Sequence, residues 1–191
     1  MKAAVVFHSV CGNDYLLAKM FEKAFASAGA DVRLRRVKDD DLQNWREMFP
    51  SAARYADEIL SAPVASIEDL ANADIAVLGC PTYFGTVSAE MKAFLDSTVA
   101  IFTSCALAGK KAAFFTSAGA IGGGGAFCLE TLVRFAQHTG MIPMPVPQKI
   151  QAMTPCATAY GFCHVAGDFA DVRPDENTQK AINAYVASLA A

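Results

Sequence analysis

The sequence predicts an α/β chain whose parallel sheet is covered by helices on both faces, and three observations predict it. Short apolar runs, Ala3 to Phe7, Asp74 to Gly79 and Lys110 to Thr116, are nearly continuous rather than alternating, as in strands buried on both sides. Each is followed within a few residues by a stretch whose apolar positions fall three or four apart, the stripe of a helix. Strand and helix signals then alternate along the chain without an internal repeat or a linker. Residues 1–191 read as a single domain.

The elements follow in order. Ala3 to Phe7 is the first strand. From Tyr15, Leu16, Leu17, Met20, Phe21, Ala24 and Phe25 form one helical stripe, with Lys19, Glu22 and Lys23 off it. Asp31 to Val37 alternates and reads as a second strand nearer the sheet edge. Asp39 to Ser66 is the least regular part, with Trp45, Pro50 and Pro63 and a helical patch around Ala52 to Leu60. Ser66 caps a short helix. Asp74 to Gly79 is a third strand, followed by a helix from Ala89 to about Thr98. Lys110 to Thr116 is a fourth, followed by a helix from about Ala126 to His138 that Gly140 stops. Met141 to Val146 is a fifth strand interrupted by prolines. A long loop of small and turn residues follows, then a terminal helix from Asp175 to Leu189.

Three strands end in loops of Ser, Thr, Gly or Pro: Ser9 to Asn13, Pro81 to Gly85 and Ser117 to Gly124. The first, HSVCGND, aims backbone N–H groups at one point beside the positive end of a helix dipole. It is either an ordinary capped turn or an anion site. It holds no Lys or Arg, so bound anions would rest on N–H groups and the Ser9 hydroxyl, at roughly 1.5–3 kcal/mol per charge-assisted bond. The Walker and three-glycine dinucleotide patterns are both absent. In open α/β sheets ligands sit outside the carboxyl ends of strands. One phosphate loop beside two further loops on that edge describes a mononucleotide with a large flat base.

Composition narrows the partners. The chain has 191 residues, 53% of them hydrophobic, and a net charge of −3 without a basic run, which argues against nucleic acid. No apolar stretch approaches the roughly 18 residues of a membrane span, and the apolar start ends too soon for a secretory signal. Six cysteines without a regular framework suit a reduced cytoplasmic protein. A mean hydropathy of +0.27 points to surface buried between subunits.

CPTYFGTVSAEMKAFLDST resembles the PTxFGxxxxxxKxFLD stretch of the flavodoxin-like WrbA family, the FMN-dependent NAD(P)H:quinone oxidoreductases. GKKAAFFTSAGAIGGGG, HTGM, and AYG followed by VAG fall in that family's order and spacing, so the resemblance covers almost the whole chain. It implies a flavodoxin-like, five-stranded parallel sheet of order 2-1-3-4-5, FMN as cofactor and NADH or NADPH as electron donor. It also implies a quinone acceptor and a homo-oligomer, dimer or tetramer. By resemblance Ser9, Cys11, Gly12, Asn13 and Asp14 would hold the FMN phosphate. Pro81, Thr82, Tyr83, Phe84 and Gly85 would line the isoalloxazine ring, and Ser117, Ala118, Gly119, Ala120, Ile121 and Gly122 would close its other edge. His138 falls where the family has a His near the flavin pyrimidine, and Phe102 where it often has a Trp over the substrate. Three positions depart from the family: Cys11 replaces an aromatic residue, Tyr83 a common Arg, and Phe102 the Trp. All three bear on how the nicotinamide docks.

The residues themselves leave other readings beside these. His138 also suits a plain helix end, its imidazole near the negative pole of the dipole. His8 reads as a strand-end residue. His164 lies close to Cys156 and Cys163, but their spacing matches no common zinc pattern, and no metal is expected. The third loop, Ser117 to Gly125, has five glycines and one large side chain, Ile121. An uncovered ring face there would take one flat partner at a time, which predicts ping-pong transfer from nicotinamide to quinone. The alternative is a flavodoxin-type electron carrier; the absence of acidic residues between Asp96 and Glu130 favours the enzyme. A phosphoacceptor receiver is excluded, because Gly79-Cys80 stands where that chemistry needs an Asp.

Overall fold

The computed structural model describes residues 1–190. The chain opens with β1 (Lys2–Phe7), α1 (Asn13–Ser27) and β2 (Asp31–Arg36). Three short helices follow, α2 (Leu42–Met48), α3 (Pro50–Ala53) and α4 (Ala56–Ser61), before α5 (Ile67–Ala71) and β3 (Ile75–Pro81). Next come α6 (Ala89–Ser97), β4 (Lys111–Ala118), α7 (Gly125–His138), β5 (Ile142–Pro143) and α8 (Gln148–Gln151). The antiparallel pair β6 (Ala157–Thr158) and β7 (Gly161–Val165) precedes α9 (Glu176–Ala190).

The strands alternate their burial between two cores. Ala3, Val5 and Phe7 of β1 pack with Leu17, Phe21 and Phe25 of α1 and Ile182, Tyr185 and Val186 of α9. Ala4 and Val6 point the other way, to Met91 and Leu95 of α6 and Cys128, Leu129 and Leu132 of α7. Both faces of each central strand are therefore removed from water, which is why the runs are continuously apolar. Burying one such Phe or Leu contributes about 1.5–3 kcal/mol. Inside the first core, Phe21 stacks on Phe115 at a centroid distance of 5.6 Å.

The sheet runs β2-β1-β3-β4-β7-β6, with β5 beside β4, so it has seven strands rather than the expected five. The order 2-1-3-4 and its parallel pairings are as expected. The correction lies at the fifth position, which is divided. β5 pairs with Lys111 and Ala112 at the start of β4, and β7 pairs with Phe115 to Ala118 at its end. Pro143, Pro145 and Pro147 supply no N–H to a ladder, so the strand stops after a few residues and the chain leaves the sheet. It returns through β6 and β7, in a stretch expected to be loop. The irregular stretch after Asp39 is also more helical than expected, with α2 added. Trp45 closes that helix by stacking on Phe49 at 5.9 Å. A reciprocal capping box between Ser66 and Asp69 opens α5. Among the described residues no helix is long and apolar enough to cross a membrane.

Candidate functional site

The strand order changes direction between β1 and β3, and a crevice opens outside their carboxyl ends. β1 ends at Phe7, and α1 begins at Asn13 after Gly12, whose φ of +91° is a left-handed conformation that glycine adopts without strain. A side chain at Gly12 would also strike the ring of Tyr55, which lies against the loop. The backbone N–H groups of residues 9 to 14 find no acceptor among the described residues. The Ser9 hydroxyl is likewise buried without a partner. A row of free N–H groups at a helix start beside a buried, unpartnered hydroxyl has the form of an anion cradle.

The loop lacks basic residues of its own, but the fold brings one to it. Arg173, 162 residues from Cys11, donates through Nη1 to the Cys11 carbonyl at 2.7 Å, and to Asn13 Oδ1 at 3.1 Å. Its guanidinium carbon lies 5.0 Å from the centre of the Tyr55 ring, and its Nε is buried without a partner. Asn13 Nδ2 in turn donates to the Ala170 carbonyl at 2.9 Å. The segment leading out of β7 therefore closes over the first loop. Arg173 was not legible as a site residue, because only the tertiary fold carries it there.

A cleft of about 170 Å³ lies among Val10, Cys11, Asn13 and Asp14, the loops Pro81 to Tyr83 and Ser117 to Gly119, and Ala166 to Asp168 with Ala170. The expected residues Cys11, Asn13, Asp14, Pro81, Thr82, Tyr83, Ser117, Ala118 and Gly119 all line it. Thr82 and Thr116 share a hydroxyl hydrogen bond of 2.8 Å, fixing the second loop to β4. Phe84 is fully exposed at a φ of +50°, and Gly85 follows it on the rim. Ala120, Ile121 and Gly122 turn away from this cleft, toward a second cavity of about 720 Å³.

His138 and Phe102 stand elsewhere. His138 ends α7, whose amino end is at the crevice; 14 residues at about 1.5 Å each carry it roughly 20 Å away. The adjoining turn, Gly140 to Gly109, is beside the start of β4. Phe102 is exposed beyond α6 and shares a small pocket with Thr139 on that same far side. Within one chain neither reaches the crevice, because each of these helices runs antiparallel to the strands.

Two acidic features lie near the carboxyl end of β1, one of them, Asp14, in the cleft itself. Asp14 is buried; burial pushes its carboxyl up to about 7, against the lowering effect of the Ser117 hydroxyl. His8, at the end of β1, donates from Nε2 to Asp39 at 3.1 Å and has Glu90 at 3.7 Å from Nδ1. Burial would raise Asp39, but hydrogen bonds from His8 and the Asp41 N–H outweigh it and hold the carboxyl below its ordinary value. His8, Asp39 and Glu90 form a group of three possible ligands within 4.8 Å, which their separation in sequence concealed.

The pattern of one family matches residues 1–153, four-fifths of the chain; its description is NADPH-dependent FMN reductase. The chain belongs to the NADPH-dependent FMN reductase family. An NAD(P)H dehydrogenase (quinone) of Geobacter sulfurreducens is 29% identical over 204 residues, spanning 100% of this chain and 98% of that protein. One of the same description from Geotalea uraniireducens is 30% identical, over 100% and 98% of the two chains. In fold, this FMN reductase family member resembles the flavodoxin, WrbA-like protein from Agrobacterium tumefaciens. The TM-score is 0.64 at 18% identity, covering 99% of this chain and 94% of that one. That likeness bears on the fold, a flavodoxin-like α/β sheet.

Proposed function

We propose that the chain is an FMN-dependent NAD(P)H:quinone oxidoreductase. The reading rests foremost on the first loop, where the N–H groups of residues 9 to 14 lack protein acceptors beside the buried, unpartnered Ser9 hydroxyl. Such a donor set fits a terminal phosphate and would be left unsatisfied without one. Ser9, Cys11, Gly12, Asn13 and Asp14 would hold that phosphate, with the Arg173 guanidinium as countercharge. Pro81, Thr82, Tyr83, Phe84 and Gly85 would line one side of the ring system, and Ser117, Ala118 and Gly119 the other, with Ala120, Ile121 and Gly122 facing the adjoining cavity. When bound, the flavin supplies the redox chemistry, accepting hydride and passing two electrons on.

The protein's part is orientation and access. Gly119 places no side chain over the ring position, so a nicotinamide and a quinone would use one open face in turn. The family description and the relatives' names support the two substrates. His138 and Phe102 would act on a neighbouring subunit's site, which fits the expected homo-oligomer. The test is initial-rate kinetics of NADH and NADPH oxidation with benzoquinone, on protein loaded with FMN. Parallel double-reciprocal lines are expected. Intersecting lines would overturn the ping-pong order, and no quinone-dependent oxidation would overturn the function. Light scattering that finds an active monomer of about 20 kDa would remove the assembly.

A further inference from the structure

The 720 Å³ cavity lies on the β7 side of the third loop and has largely apolar walls, among them Ile121, Phe127, Pro155, Tyr160, Val165 and Val172. Cys156 and His164 also line it. Their separation is eight residues, but the hairpin of β6 and β7 folds them together: Cys156 Sγ is 3.7 Å from His164 Nδ1. On its other side the ring meets the Val172 carbonyl, 2.9 Å from Nε2. A carbonyl only accepts, so Nε2 carries the ring proton, and Nδ1 is left as the acceptor facing the thiol. The Thr178 hydroxyl lies 3.6 Å from the same sulfur and donates its proton to Asp175 Oδ1 at 2.8 Å. A thiol, a base in the matching tautomer and a third group that orients the base make an activated nucleophile. Cys156 is partly exposed, whereas the imidazole behind it is buried.

We propose that Cys156 and His164 form a nucleophilic thiol site, in the cavity adjoining the flavin crevice across the third loop, that adds to apolar molecules carrying an electron-poor double bond conjugated to a carbonyl. Enones and quinones are the class. In the step, His164 Nδ1 takes the S–H proton and the sulfur electron pair forms a bond to the β-carbon. The π pair moves to the carbonyl oxygen, and the proton returns from His164 to that enolate. The atoms balance as a simple addition, with one proton removed and given back and no external oxidant or reductant. Gly124, Gly125 and Ala126 place the amino end of α7 on the cavity wall, where its positive pole favours negative charge developing on the oxygen. The apolar walls select a neutral, hydrophobic electrophile and disfavour a charged one.

The test needs neither nicotinamide nor turnover, so its failure is distinguishable from failure of the oxidoreductase reading. The protein as purified is mixed with an equimolar amount of N-phenylmaleimide, and the adducts are mapped over time by peptide mass. Labelling of Cys156 should outrun that of the exposed Cys105 by about a hundredfold, the scale of a positioned base. His164→Gln should erase that lead. N-phenylsuccinimide, which has the same shape without the double bond, should slow labelling at Cys156 and leave Cys105 unchanged. This arm requires no substitution, so it holds even where His164→Gln fails to fold. Labelling that favours Cys105, a lead that survives in a folded His164→Gln protein, or no protection by the saturated analogue would each overturn the site.

Discussion

The Ser117 hydroxyl lies 2.6 Å from Asp14 Oδ2, joining the end of β4 to the first turn of α1 across 103 residues. The other carboxylate oxygen is buried without a partner. One hydrogen bond does not replace the water that burial strips away, so desolvation dominates and the pKa rises to about 7. The first loop thus has a carboxyl beside it that is neutral in mild acid and charged above neutrality.

The sign of the pH effect follows. The folded pKa lies above the unfolded value of 3.8, so between about 4 and 7 the folded chain holds a proton that the unfolded chain has lost. Stability from this group is full below that window and falls as pH rises through 7, by at most about 4 kcal/mol. Asp14→Asn should flatten the fall and give a higher urea midpoint than the natural chain at pH 8. It should also remove a decline of FMN affinity above neutrality, where the carboxylate would repel the phosphate. Equal pH slopes for the two proteins would show that Asp14 titrates normally.

Ser9→Ala separates ligand binding from folding. The hydroxyl has no protein partner, so removing it should leave the apo-protein as stable or slightly more so. FMN affinity should fall by about 1–3 kcal/mol, the loss of one charge-assisted bond. Fluorescence titration of FMN measures it, and an unchanged affinity would move the phosphate away from this loop.

Arg173 calls for a planar fork rather than a positive charge alone, since its Nη1 serves the Cys11 carbonyl and Asn13 while its ring-stacking face meets Tyr55. Arg173→Gln should weaken FMN binding by about tenfold, most at low salt. Arg173→Lys should recover only part of it. Full recovery by Lys would mean that the charge acts without the geometry.

What the sequence made legible was what local chemistry decides. Continuous apolar runs marked β1, β3 and β4, and loop residues marked the first, second and third loops, because buried parallel strands and tight turns each restrict composition. β7 was hidden. Gly161, Cys163 and His164 are weak strand formers, and pairing with β4 overrides that preference. Arg173, Tyr55 and the group of His8, Asp39 and Glu90 were out of reach for another reason: each contact joins residues tens to more than a hundred positions apart. His138 and Phe102 were read by position in a family pattern, and the fold places both on the far side of the chain from the crevice.

Gly161 allows the divided strand to be tested. It starts β7 directly after the turn from β6, at a φ of +145°, a region that side chains rarely occupy. Any Cβ there would run into the Phe114 carbonyl of β4 and lie 3.2 Å from Leu129 Cδ2. Both neighbours are held, the first by the ladder and the second by the core under α7, so neither can yield cheaply. Gly161→Ala should therefore cost about 2–4 kcal/mol by urea unfolding, backbone strain and collision together. Gly29→Ala is the control. Its φ is +76° but nothing lies within 4 Å of the new methyl, so it should cost only the backbone strain, about 1 kcal/mol. If the two variants lose the same stability, β7 is not pressed against β4 as the register requires. If Gly161→Ala loses far more, the return of the chain through β7 is what completes the sheet beside the third loop.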